Sequence, residues 1–574
     1  MALRQYRQST VNLDKRRLAI AIALMATSVI SAVATMKLTN TPRLAALPLL
    51  LAVPSACLLV ASMSDVWTRQ RCEHLFFTLL LLCGTLSYAL TFPPSTVPDE
   101  DSHARVAYVY ANLVTPGYGA TTMRAEDRDF LEHELVNNSQ VTAERFLSTF
   151  QGARFTCRDN TPVNHDPLVT RELWGNDPAG HGLDYILSSS PFYVKAGATL
   201  GILIGRIFNL SALHSYYLGR ICNAFFCCAL VSLAVYLAPI GREAFMAASL
   251  LPMSLHEMGS FSYDGAIMGL CFVACALLLR AICGEEKIIR NEMIPICVAL
   301  FLLGPCKMVY SLVAALGLLI PSRRFESRRQ EVLCKLALVA SPVVGVLAIR
   351  FDKVASLLFG GAGNTAAAAQ EAHDHRGFTE GTFYSVSDVL RDPMGTAAMV
   401  WSTLCKNWYQ YLFMMLGCSL GWLQPELLSL GMVWPLCLLL VAAALPAARE
   451  ALPLSEARAT RHSMARSARH TVLPDPTEDS PDETLPDVKT CVAGVVLFIA
   501  LVIAVMLGEM LIWTFNTESF ISGVQGRYFL PMLPLLLLPL ARVRRMPQPA
   551  HDVILYVFCF VDVVYLISIF AALL

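Results

Sequence analysis

The sequence predicts an all-α protein that crosses a membrane many times, and three observations carry that expectation. Charged residues make up 15% of the 574 positions and apolar ones 55%, where ordinary soluble domains carry roughly 25% charged residues. Mean hydropathy is +0.53. The apolar residues are gathered into long runs that recur along the whole chain. Each run is compatible with a helix of roughly 20 residues, because hydrocarbon leaves no water to satisfy a backbone that is not bonded internally. The expected architecture is about 12 to 14 transmembrane helices with a large first extracytoplasmic loop.

The first run, Leu18 to Met36, follows Arg4, Arg7, Lys15, Arg16 and Arg17. It reads as a retained helix, because it has the length of a full span and no small-residue cleavage pattern follows it. Further runs lie near 44–62, 75–92, 192–209, 214–238, 243–257, 263–282, 294–320, 333–351, 428–447, 489–513, 527–542 and 552–573. They divide the chain into N-terminal helices (1–92), an extracytoplasmic loop with an acidic motif (93–190), a transmembrane core (191–447), a disordered cytoplasmic linker (448–488) and C-terminal helices (489–574). The linker starts Arg-rich and ends Pro-acidic (PDPTEDSPDETLPD), a composition that buries too little apolar surface to fold alone.

Orientation follows from where Lys and Arg fall. The basic N-terminus, Arg69 with Arg71, the turn holding Arg323, Arg324, Arg328 and Arg329, the linker, and Arg542 to Arg545 all read as cytoplasmic. The loop 93–190 reads as outside: it has no lysine, seven arginines and twice as many carboxylates. The expected location is the plasma membrane, with the N-terminus in the cytoplasm. Strict alternation through every run then puts Ser262-Tyr263-Asp264-Gly265 in the cytoplasm, whereas a re-entrant or surface-lying segment between 192 and 257 puts it outside. The segment 390–417, with Lys406, Asn407, Tyr409 and Gln410, suits an amphipathic helix at the outer interface.

Composition also excludes classes. Basic and acidic residues number 44 each, so no net charge argues for a nucleic-acid partner. Most of the 18 cysteines, such as Cys83, Cys227, Cys271 and Cys437, lie in apolar runs as small hydrophobes and form no disulfide framework. No GxxxxGK[ST] loop, GxSxG elbow, Cys-x-x-Cys zinc framework or nucleic-acid module occurs. Asn137-Asn138-Ser139 is an acceptor-like tripeptide in the outer loop.

Three constellations are able to carry chemistry. At the start of the outer loop, prolines end a helix and Asp99, Glu100, Asp101 and His103 follow at the membrane edge. If a helix starts at Pro98, Asp99 and His103 share a face and suit a general base or a divalent cation; the bland alternative is a charged helix N-terminus that favours the macrodipole. In the second, His256, Glu257, Tyr263 and Asp264 lie between two apolar runs, where ionisable groups are costly and suggest function; the alternative is a short polar loop with Asp264 as a cap. In the third, GVQGRYFLP, Arg527 suits bidentate phosphate binding or, equally, an interfacial anchor beside Tyr528.

Pro98-Asp99-Glu100 with His103 and Arg105, Pro191-Phe192-Tyr193, Tyr217-Leu218-Gly219-Arg220, Leu251-Pro252-Met253, Ser262-Tyr263-Asp264, Lys307-Met308-Val309-Tyr310, Gly421-Trp422-Leu423 and Gly526-Arg527-Tyr528-Phe529-Leu530-Pro531 occur in that order. The series resembles the bacterial membrane proteins catalogued as domain of unknown function 2142, over about residues 75–545. That family is similar to the GT-C glycosyltransferases, and the likeness implies transfer of a sugar from a polyprenyl-phosphate carrier to an envelope glycan, lipid or protein acceptor. It implies Asp99 as the base or as a metal ligand with His103, Glu100 and His103 in support, and Asp264 as a second acid on the outer side. Arg527, Tyr528 and Arg105 are then the substrate-binding residues, and the transfer is either metal-independent or assisted by magnesium or manganese. The charged linker departs from the pattern, as does Gln424 where an acid often follows Gly-Trp-Leu. The rivals are a transporter or flippase of lipid-linked sugars, and an assembly protein whose large loop binds partners.

Overall fold

Long apolar helices dominate the computed structural model, which describes residues 15–63, 69–116, 122–127, 130, 141–151, 162–164, 190–351, 382–421, 429–448, 485–543 and 545–574. Asn137-Asn138-Ser139, nearly all of the 448–488 linker and the residues Trp422, Leu423 and Gln424 lie outside these. The main helices are α1 (Lys15–Thr39), α2 (Pro42–Leu50), α3 (Ala52–Met63), α4 (Arg69–Thr91), α5 (Glu100–Val114), α6 (Ala143–Gln151), α7 (Phe192–Ile207), α8 (Ala212–Leu237), α9 (Arg242–Ser249), α10 (Pro252–Met258), α11 (Asp264–Cys283), α12 (Arg290–Leu303), α13 (Arg328–Ile349), α14 (Pro393–Leu416), α15 (Val433–Ala443), α16 (Val488–Ile512) and α17 (Gln548–Leu573). Among the described residues, strands are limited to two short pairs, 122–124 with 162–164 and 447–448 with 546–547. This is an all-α, multi-pass membrane protein.

Where the sequence predicts about 12 to 14 spans, eight helices among the described residues are long and apolar enough to cross a membrane. Other apolar runs are broken, and prolines explain the breaks because they lack an N–H and clash with the preceding turn. Pro252 separates α9 from α10. Gly304-Pro305 ends α12, and the run continues as a 3-10 helix, Met308–Leu319. Pro531, Pro534 and Pro539 divide the run after Arg527 into a 3-10 piece, Gly526–Met532, a short α piece and a second 3-10 piece. Such backbone is tolerated at membrane depth only when covered by protein, and Phe529, Leu530, Met532, Leu533 and Leu535 are buried.

The side on which Asp264 lies is decided by α7. This 16-residue helix is about 24 Å long at 1.5 Å per residue, short of the roughly 30 Å of hydrocarbon. It runs antiparallel to the first half of α8: Gly197 lies beside Asn223, Gly201 beside Gly219 and Gly205 beside Ser215. A Cβ on Gly201 would sit 2.5 Å from the Gly219 Cα, so glycine is what lets the two backbones approach. Because α7 starts beside the middle of α8 and returns to its beginning, it does not cross. Strict alternation, which assumed that it did, therefore misplaces Ser262-Tyr263-Asp264-Gly265. These residues lie at the same end of the bundle as Asp99.

Two arginines close the end of α4, whose last carbonyls have no partner within the helix. Arg43 donates to the Leu90 and Thr91 carbonyls, and Arg220 to those of Ala89, Phe92 and Pro93. From the segment after α5, Arg124 forms a two-pronged pair with Asp127 and donates to the Leu210 carbonyl, while Glu126 accepts from the Ala212 N–H at the start of α8. These contacts fix the segment that leads into the site.

Candidate functional site

The site is built where α4 ends. Pro93, Pro94 and Pro98 stop the helix, and the chain turns through left-handed backbone at Ser95 (φ 62°) and Asp99 (φ 60°). That conformation is sterically costly for residues with a Cβ, although aspartate tolerates it better than most. Helix α5 begins at Glu100, not at Pro98 as the sequence suggests, so Asp99 is its N-cap position. The Asp99 side chain makes no capping hydrogen bond and is 55% exposed. It is turned toward Arg527, so it is not a side-chain cap of α5, although it lies with Glu100 and Asp101 at the helix N-terminus.

Arg527 is the hub. Its Nη2 donates to Asp99 Oδ2, its Nη1 donates to Glu257 Oε1 at 3.0 Å, and its Nε lies 3.6 Å from Asp264 Oδ2. Its side chain is 4% exposed, so it is not an interfacial anchor with its head in water. Three elements distant in sequence therefore meet on one guanidinium: the start of α5, the end of α10 and the start of α11. Lys307, at the break after α12, donates to Asp264 Oδ1 at 2.7 Å. Its Nζ lies 4.1 Å from the centre of the Tyr528 ring and 5.2 Å from that of Tyr263.

Tyr263 ties the rim together. The His103 ring meets it edge-on at 4.3 Å, and the Lys195 Nζ lies 5.1 Å from its centre while donating to the Phe261 carbonyl. Burial, reinforced by the nearby Lys195, Arg527 and Lys307 cations, holds the His103 pKa well below its ordinary value.

Residues 80–536 match the family described as "Predicted membrane protein (DUF2142)". The chain belongs to this family. No curated protein and no solved structure matches it.

In this DUF2142 chain the expected site residues divide. Asp99, Asp264 and Arg527 converge, with Tyr528 and His103 on the rim. Glu100 turns the other way: it is fully buried, both of its oxygens accept from Arg220 at 2.7 and 2.5 Å, and one also accepts from the Phe261 N–H. It shapes the turn and does not reach the Arg527 cluster. Arg105 sits one turn along α5, 3.8 Å from Asp101, off the cluster. Asp264 is in the first turn of α11 and faces Lys307 and Arg527, not the helix N-terminus that a cap would serve.

Lys307, Lys195 and Arg220 were not expected as parts of the site, and Glu257 only as part of a polar stretch. Their shared signal is an ionisable side chain within or at the end of an apolar run, which marks function or a buried partner. The residues do not fit the expected cation ligated by Asp99 and His103. Arg527 already lies between the three carboxylates, the His103 ring is packed on Tyr263, and among the described residues no group of three His, Cys, Asp or Glu is placed to hold a metal.

Proposed function

We infer that this protein transfers a sugar from a polyprenyl-phosphate carrier to a cell-envelope glycan, lipid or protein on the extracytoplasmic face of the plasma membrane. The observation that carries the reading is the contact between Asp99 and Arg527: a half-exposed carboxylate beside a buried, fixed cation, at the point where the chain leaves the membrane. Glycosyl transfer from a lipid phosphate needs both groups there. The acceptor hydroxyl gives its proton to Asp99 and its oxygen bonds to the anomeric carbon. The bond from that carbon to the phosphate oxygen breaks, and its electron pair leaves with the phosphate. Attack opposite the leaving group inverts the anomeric centre.

Arg527 serves both halves of the step. It holds Asp99 in place by a hydrogen bond to one oxygen, and its charge, preorganised by Glu257 and Asp264, opposes the negative charge that grows on the departing phosphate. The orientation rests on the distribution of Lys and Arg. In a background without the native cysteines, an impermeant thiol reagent applied from outside should label Ser519→Cys, and labelling of Arg329→Cys instead would reverse it. The function is tested with purified protein and a set of radiolabelled polyprenyl-phosphate sugars. Label moving to an acceptor supports the transferase; label crossing a vesicle membrane on an intact carrier lipid would make the protein a transporter.

A further inference from the structure

Two cations share one carboxylate in this site. Asp264 lies 3.6 Å from the Arg527 Nε and accepts from the Lys307 Nζ at 2.7 Å. Arg527 is already shared among Asp99, Glu257 and Asp264, so Lys307 is the second cation of a three-carboxylate cluster, with Asp264 as its counter-ion. Lys307 also differs from Arg527 in how its donors are engaged. Arg527 donates through Nη2 to Asp99 and through Nη1 to Glu257 and to the Pro98 carbonyl at 3.4 Å, while its Nε lies 3.6 Å from Asp264 Oδ2 without a hydrogen bond. An ammonium carries three N–H donors, and Asp264 is the one hydrogen-bond acceptor of Lys307 among the described residues.

Accessibility separates them further. The Lys307 side chain is 23% exposed against 4% for Arg527. Tyr528 and Tyr263 flank the ammonium with their ring faces, and an aromatic face attracts a cation without consuming its directional donors. Lys307 is therefore held by walls that leave donors available, at the break between α12 and the following 3-10 helix.

Resting on the transferase reading, we propose that Lys307 is the residue that binds the carrier phosphate directly, while Arg527 positions the carboxylates behind it. A phosphate oxygen takes a free ammonium proton as a charge-assisted hydrogen bond. Tyr528 and Tyr263 limit where that ammonium can point.

The test is binding, not turnover. The full chain in lipid nanodiscs is titrated with a polyprenyl phosphate, with the corresponding polyprenol, and with inorganic phosphate. Wild type should bind the lipid phosphate more tightly than the polyprenol, and inorganic phosphate weakly. Lys307→Gln should weaken the lipid phosphate at least about tenfold, the scale of one charge-assisted hydrogen bond, and leave polyprenol binding unchanged. Lys307→Arg should restore most of the loss. Because Lys307→Gln leaves Asp264 short of a partner, the Lys307→Gln/Asp264→Asn double variant removes both charges and guards against misfolding; it should show the same selective loss. Unchanged lipid-phosphate binding in folded Lys307→Gln or in the double variant overturns the role of Lys307 and leaves the transferase reading standing. Equal binding of polyprenol and polyprenyl phosphate by wild type overturns both, and so does binding of neither.

Discussion

Glu100 and Asp99 are adjacent carboxylates with opposite surroundings: Glu100 is sealed in a two-pronged pair with Arg220 at 0% exposure, whereas Asp99 is 55% exposed on Arg527. One is placed to hold the turn, and the other is open to solvent. Removing one partner of a buried pair leaves the other charge without compensation and typically costs about 3–5 kcal/mol. Glu100→Ala should therefore lower the apparent melting temperature and the folded yield in detergent. Asp99→Asn should change neither much, because its side chain is largely in contact with solvent. Equal destabilisation by the two substitutions would contradict this division.

The His103 pKa supplies a pH dependence with a definite sign. Because the folded protein holds this imidazole well below its ordinary value near 6.5, the unfolded chain binds the proton more readily. The stabilising contribution is thus fully present above about pH 6.5 and is lost as the pH falls from there toward the folded-state pKa, with a slope of up to about 1.4 kcal/mol per pH unit. His103→Gln should flatten the decline in thermal stability below about pH 6.5. An unchanged profile in that variant would remove His103 as the source.

Much of this site is legible in the sequence, and the part that is not has physical causes. Asp99, Asp264 and Arg527 are visible because a charged side chain at the edge of an apolar run stands out. That one guanidinium joins them is not visible, since Arg527 lies 428 positions from Asp99 and 270 from Glu257. Hydropathy registers apolar length but not whether a helix goes through, so α7 looked like a span until its packing against the first half of α8 showed its return. Proline breaks such as Pro252 and Pro305 are written in the chain, yet what they do, which is to leave Glu257 and Lys307 facing one cluster, depends on tertiary packing. Glu100 sits in the most conspicuous motif, and nothing local reveals that Arg220 claims both of its oxygens.

Arg527 distinguishes a positioned guanidinium from a generic positive charge. A lysine has a compact ammonium and cannot present nitrogens in three fixed in-plane directions, so Arg527→Lys cannot hold Asp99, Glu257 and Asp264 together. Transfer should fall by about 100-fold or more, the scale of losing one preorganised donor. The variant should still insert. Wild-type turnover in Arg527→Lys would show that charge alone suffices.

In the proposed reaction the half-exposed carboxylate beside Arg527 takes the acceptor proton. The most direct test of this step is the initial rate of radiolabelled sugar transfer from polyprenyl phosphate by purified wild type, Asp99→Asn and Asp101→Asn. Asparagine keeps the shape of Asp99 but cannot accept the proton, and Asp101 pairs with Arg105 away from the cluster. Wild type should transfer the sugar, Asp101→Asn should do so at near-wild-type rates, and folded, membrane-inserted Asp99→Asn should transfer none. Undiminished transfer by Asp99→Asn would contradict that role of the carboxylate.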